Sequence, residues 1–180
     1  MILAFALGAL TWSLLEYTLH RRLGHDRRLV RATPFGTEHT AHHSRGNYFA
    51  PTWKKALAAL LFVGLVAPPA VLVAGTASGA AYTAGLVGFY LTYELLHRLL
   101  HVWAGVGPYA RWARRHHFYH HFHDPRLNHG VTSPLWDVVF GTYARPERIA
   151  VPRKLAMRWL VDPASGSVRA HLGRDYQLRS

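Results

Sequence analysis

Three apolar stretches, each about as long as a bilayer is thick, constrain this chain more than any other feature. Met1 to Leu19 carries Glu16 as its one charge, Ala56 to Gly75 carries none, and Ala77 to Leu96 carries only Glu94. About 20 residues of helix cross a ~30 Å hydrocarbon core. All 21 Lys and Arg lie outside these stretches, in 21–55 or 98–180. The net charge of +12 is therefore split between loops and does not form the continuous basic face that nucleic acid requires. No nucleic-acid partner is expected.

The predicted fold class is all-α: an integral membrane helical bundle of about three transmembrane helices with a cytoplasmic, histidine-rich cap. The positive-inside bias puts 21–55 and 98–180 in the cytoplasm, with the N-terminus and the turn at Thr76–Gly79 opposite. A signal-peptide reading of the first stretch fails for want of a basic n-region. Pro68–Pro69 predicts a kink in the second span. Val151 to Val161 reads as a short basic amphipathic helix on the anionic leaflet. Asp162 to Ser180, His171 included, reads as a loosely ordered, solvated end. The expected domain organisation is one membrane domain, 1–180, with its motif core in 16–143 and 151–180 as a peripheral amphipathic tail.

There is no cysteine, which excludes disulfides, thiolate metal sites and a cysteine nucleophile. Histidine is abundant instead, with 14 residues, and its spacing repeats. Glu16 precedes His20 and His25, then comes His39-Thr-Ala-His42-His43; Glu94 precedes His97 and His101, then comes His117-Phe-Tyr-His120-His121. Positions three and four apart share a helix face, so each H-x2-H-H triplet is expected to converge. His20 and His25 lie about 140° apart at ~100° per residue, and Gly24 is expected to let the helix unwind and turn His25 back. Imidazole suits iron, zinc, copper or nickel, whereas calcium and magnesium take oxygen. Ten imidazoles exceed what one ion accepts, and two ions follow. Glu16, Glu38, Glu94 and Asp137 are placed to orient imidazole N–H groups, with His129 a further candidate. His116 and His123 read as outer or surface residues, and Arg21 and Arg98 as snorkelling cations.

EYTLHRRLGH, HTAHH, YELLHRLLH, HHFYHH and NHGVTSPLWDVVFGTY together resemble the fatty acid hydroxylase/sterol desaturase superfamily of membrane di-iron enzymes, over roughly Glu16 to Tyr143. The resemblance implies a non-haem centre of two iron ions, with zinc as a substitute after purification. Its ligands would be His20, His25, His39, His42, His43, His97, His101, His117, His120 and His121. It also implies O2 as co-substrate, an external electron donor of the cytochrome b5 or ferredoxin kind, and a lipid substrate drawn from the bilayer. The expected reaction is hydroxylation or desaturation of a lipid C–H bond, first of all on a fatty acyl chain, with carotenoid or sterol oxidation as the alternative. This sequence departs from the family pattern at His129, where an aromatic residue usually precedes the glycine. A metal transporter would need ligands in mid-span, and no histidine lies there; a zinc hydrolase would need H-E-x-x-H, which is absent. Trp12, Phe89, Tyr90 and Tyr93 are candidate walls for the lipid chain.

Overall fold

A computed structural model describes residues 1–145 and 147–180. They form two compact units, one of Met1–Glu16 and Ala50–Leu95, the other of Tyr17–Phe49 and Leu96–Ser180. Five α-helices are described: α1 Ile2–Leu19, α2 Pro34–Arg45, α3 Thr52–Val102, α4 Gly107–Phe122 and the short α5 Leu135–Val139. Two strands follow, β1 Ile149–Pro152 and β2 Tyr176–Arg179.

The first unit is apolar helix. Ile2–Gly24 and Thr52–Val102 are both long and apolar enough to cross a membrane. The second is a hairpin. At Gly75 the backbone adopts φ 77° and ψ 165°, a conformation open to glycine, and the helix reverses there. Gly79 then lies so close to Val71 that a Cβ would meet its backbone nitrogen at 2.4 Å. The backbone stays helical through Pro68–Pro69, and the break falls at Gly75, beside the expected turn at Thr76–Gly79. Near its base Lys55 pairs with Glu94, and the Tyr90 hydroxyl donates to the Lys55 carbonyl at 3.0 Å.

Helix α1 packs on the second limb through small residues. A Cβ at Gly8 would meet the Tyr82 carbonyl oxygen at 2.0 Å, and one at Gly85 would meet that of Phe5 at 2.0 Å. Such backbone contact is how helices associate where lipid removes the hydrophobic drive. Trp12 packs edge-on against Phe62 and Tyr90, with Tyr93 beside it, so these aromatics bind helix to helix, while Phe89 faces outward. Leu65, Leu72 and Val73 are 73–87% exposed, an apolar surface that water does not favour.

The C-terminal segment departs from expectation. Residues 151–161 are not an amphipathic helix, and 162–180 are not a loose end. Strand β1 pairs in parallel with β2, Ile149 opposite Tyr176, which adds a two-stranded sheet to a fold expected to be all-α. Ile149, Val151, Met157, Leu160, Leu172 and Tyr176 bury themselves against Phe118 and Phe122 of α4. Asp175 takes a bidentate pair from Arg111 at 2.6 Å and a longer contact from Arg115 at 3.6 Å. The helical reading failed because apolar positions 149 and 151, at strand period, pair with residues some 27 positions away.

Candidate metal centre

All ten histidines of the two repeated motifs lie in the second unit, and its elements gather them into two groups of five. His20, His25, His39, His43 and His120 form the first; His42, His97, His101, His117 and His121 form the second. Within each group the ligand-capable atoms lie within 4.8 Å of one another.

Local structure explains the sorting. After Leu19 the helix widens into a π-turn over His20–Gly24. The π-turn's hydrogen bond runs from i to i+5, which narrows the offset between His20 and His25 and leaves their ring centroids 5.3 Å apart. Gly24 is required there, since a Cβ would meet the His39 ring at 2.8 Å. Helix α2 is capped by Thr33, whose hydroxyl accepts the Gly36 N–H at 3.0 Å, with Pro34 in its first turn.

The triplets do not converge as the spacing alone suggested. His39 and His43 serve the first group and His42 the second; on α4, His117 and His121 serve the second and His120 the first. Residues i and i+4 lie about 40° apart on a helix, whereas adjacent residues lie about 100° apart. Each helix therefore sends its i, i+4 pair one way and its third histidine the other. His43 stacks on His121 at the seam, centroids 4.0 Å apart.

Backbone carbonyls orient several of these rings. The Nδ1–H of His20 donates to the His129 carbonyl at 2.5 Å, that of His42 to Tyr48 at 2.7 Å, and that of His120 to Leu127 at 2.8 Å. A carbonyl only accepts, so each such ring keeps its Nε2 as a lone-pair donor. The Nε2 atoms of His20, His43 and His120 are buried without a hydrogen-bond partner, as are both ring nitrogens of His121. The Nε2 atoms of His25 and His39 are 2.8 Å apart, and those of His101 and His117 are 2.9 Å apart. Nitrogens that close share a proton or a cation.

Burial first, and then the repulsion of neighbouring imidazoles, holds His39, His43, His117, His120 and His121 well below 6.5, and His25 at about 4. Burial likewise takes His129 down to about 4, against the opposing pull of Asp137. Neutral imidazole is the form that binds metal. In the metal-free protein these groups couple stability to acid. Their folded values lie below the unfolded one, so the unfolded chain binds more protons between about pH 4 and about pH 6.5. Stability is therefore expected to fall as pH drops through that window, by up to about 1.4 kcal/mol per pH unit for each such histidine. Denaturant midpoints of metal-free protein across the window check this, and a flat profile would refute it.

The donor set is all nitrogen, with no sulfur and no carboxylate in either group. Such a set fits iron or zinc and does not fit calcium or magnesium. The carboxylates sit elsewhere. Glu38 accepts the Tyr48 hydroxyl, on the residue whose carbonyl holds His42. Glu94 takes the Lys55 ammonium, and Glu16 is buried in the first unit. Asp137 is fully buried and accepts from the backbone N–H of His129 and Gly130 and from the Thr142 hydroxyl, each at 2.8 Å, and from His116 at 3.2 Å. Burial alone would raise its carboxyl, but the hydrogen bonds from His116, Gly130 and Thr142 hold it below 3.8. Sequence reasoning missed Asn128, which bridges Ala144 with both ends of its amide. Its φ of 57° closes the turn before His129, and the Asn-His-Gly run was the signal available. His123 accepts the Ala150 N–H at 2.9 Å, and His171 is exposed.

Comparison with known proteins agrees with this geometry. The fatty acid hydroxylase family model matches residues 5–142. A dihydroceramide fatty acyl 2-hydroxylase of Arabidopsis thaliana is 35% identical over 147 residues, 78% of this chain and 60% of that protein. The ceramide very long chain fatty acid hydroxylase of Saccharomyces cerevisiae is 34% identical, over 79% of this chain and 38% of its own. The human fatty acid 2-hydroxylase is 30% identical, over 80% and 40%. A solved structure of full-length scs7p, with only the hydroxylase domain visible, superposes with a TM-score of 0.61 at 30% identity, covering 82% of this chain and 57% of that one. The chain thus spans between about two fifths and three fifths of the length of these curated relatives.

Proposed function

The chain belongs to the fatty acid hydroxylase family, and from that premise we propose that it hydroxylates a fatty acyl chain, at carbon 2, in a membrane lipid of the ceramide type. The observation that carries the reading is the pair of five-histidine groups, each with its ligand-capable nitrogens within 4.8 Å. The three relatives' names supply the acyl substrate and, in two of them, the position.

The ten histidines would hold two ions, iron in the working protein and zinc as a substitute. Bound iron, with O2 and electrons from an external carrier of the cytochrome b5 or ferredoxin kind, supplies an oxidation that no side chain can perform. The chain's own work is to hold and orient. The Leu127, His129 and Tyr48 carbonyls fix the tautomers of His120, His20 and His42. Burial keeps the rings neutral, the form that binds metal. Two carboxylates belong to the outer support: Glu38 acts through Tyr48, and Asp137 through the loop at His129.

The test is lipid analysis of a host making this chain beside one making His117→Ala. The expected result is 2-hydroxyacyl lipid with the wild-type chain alone. An unsaturated product without a hydroxyl group, or equal hydroxylation in both hosts, would overturn the reading.

The membrane arrangement belongs to the same proposal. One domain, 1–180, would cross the bilayer three times, through α1 and the two limbs of α3, with the histidines on the cytoplasmic side. The chain has no cysteine, so single cysteines report sidedness directly. A cysteine at Ser78 is expected to react with an impermeant reagent from outside, and cysteines at Ser44 and Ser165 are not. The opposite pattern would reverse the topology.

A further inference from the structure

His129 lies outside both five-histidine groups, yet its ring is packed among the first. Its centroid is 5.3 Å from that of His120, 5.5 Å from His20 and 5.7 Å from His25. Rings within the first group are separated by comparable distances, 4.4 Å for His20 and His120 and 6.3 Å for His39 and His120. The residue is 1% exposed.

Its orientation is fixed on three sides. The backbone N–H donates to Asp137 at 2.8 Å, and the backbone carbonyl accepts from His20 at 2.5 Å. The ring Nε2 lies 3.0 Å from the Arg126 carbonyl. A carbonyl cannot donate, so Nε2 carries the proton and Nδ1 carries a lone pair. That Nδ1 is buried and has no hydrogen-bond partner. A buried acceptor left unmet is costly, and an apolar ring in the same place would avoid the cost. Steric filling alone therefore does not account for a histidine at this position. The unmet lone pair at Nδ1 is placed to accept a hydrogen bond.

We propose that His129 is a further polar group of the first histidine centre, its Nδ1 accepting a hydrogen bond from a water molecule held on that centre's metal ion. The inference rests on the two-ion reading above. A position one step outside the 4.8 Å set suits a contact made through water. His129 is then a positioning residue for whatever oxygen ligand the ion carries, and its carbonyl already orients His20 from the same peptide.

Cobalt(II) makes this testable without turnover, because its visible absorption reports the ligands around it. Metal-free full-length protein is titrated with cobalt(II) as wild type, His129→Leu and His129→Asn. Leucine and asparagine are close in size, and only asparagine offers an acceptor near the Nδ1 position. Wild type is expected to take up two equivalents. In His129→Leu one of the two should bind about 10- to 100-fold more weakly, with a changed spectrum, while the other stays as in wild type. His129→Asn should restore both. If the leucine variant does not fold, as judged by its helical circular dichroism, His129→Phe takes its place. Two equivalents of wild-type affinity and spectrum in the apolar variant would overturn the role of His129 and leave the ten-histidine reading standing. Equal weakening in the asparagine and apolar variants would also overturn it, because the ring would then be acting by shape. A wild-type protein that takes up no cobalt would overturn the metal reading itself.

Discussion

Alanine at position 120 is expected to cut the metal content of the purified protein from about two ions per chain to about one, and to abolish lipid hydroxylation. His120 is fully buried, and its centroid lies 4.4 Å from His20, 4.5 Å from His25 and 5.0 Å from His43. Leu127 holds its Nδ1, so Nε2 is committed to the first group. Removing that nitrogen leaves four imidazoles and a void that water can enter. The loss should fall on one ion, because the second group draws His117 and His121, not His120, from the same helix. His123→Ala is the control on α4's C-terminal side, since His123 accepts a hydrogen bond from Ala150 and joins neither group. Elemental analysis of both variants decides the matter. Retention of two ions in His120→Ala would remove the basis for the grouping, and loss of both ions would show that the two centres form as one cooperative unit.

The second large effect is expected at Asp137. Asp137→Ala should cost about 4–5 kcal/mol of stability and lower metal content with it. The buried carboxylate accepts from four donors: two backbone N–H groups, the Thr142 hydroxyl and His116. Hydrogen bonds to charged groups are worth roughly 1.5–3 kcal/mol each, and deleting the acceptor strands its donors in a dry site. The effect reaches the metal centre through geometry. Asp137 holds the His129 peptide, whose carbonyl holds the Nδ1 of His20. Asp137→Asn should be milder, because one oxygen survives while the new amide N–H groups face existing donors. Denaturant midpoints with parallel metal analysis measure both variants. An alanine variant within about 1 kcal/mol of wild type would mean that the loop is held from elsewhere.

Much of this protein is readable from its residues in order. Apolar runs of membrane length, basic residues kept out of those runs and a histidine pattern repeated in both halves depend only on composition and spacing. The two long apolar helical stretches, the fold back beside Thr76–Gly79 and the ten histidines that come together all follow from such local rules. Three features do not. The π-turn at His20–Gly24 forms where Gly24 lets the His39 ring close in, and no residue within that turn specifies the His39 contact. The exchange of His42 and His120 between the two groups depends on how α2 and α4 face each other, which a single helix period cannot encode. The C-terminal sheet depends on pairing Ile149 with Tyr176 and packing both against α4, contacts that override the weak helical pattern of 151–161. The sequence by itself determined which chemistry is present and on which helices, because side-chain identity and helical period are local. Only the tertiary structure decided which nitrogen faces which neighbour, because that depends on carbonyls, glycine clearances and strand partners far away along the chain.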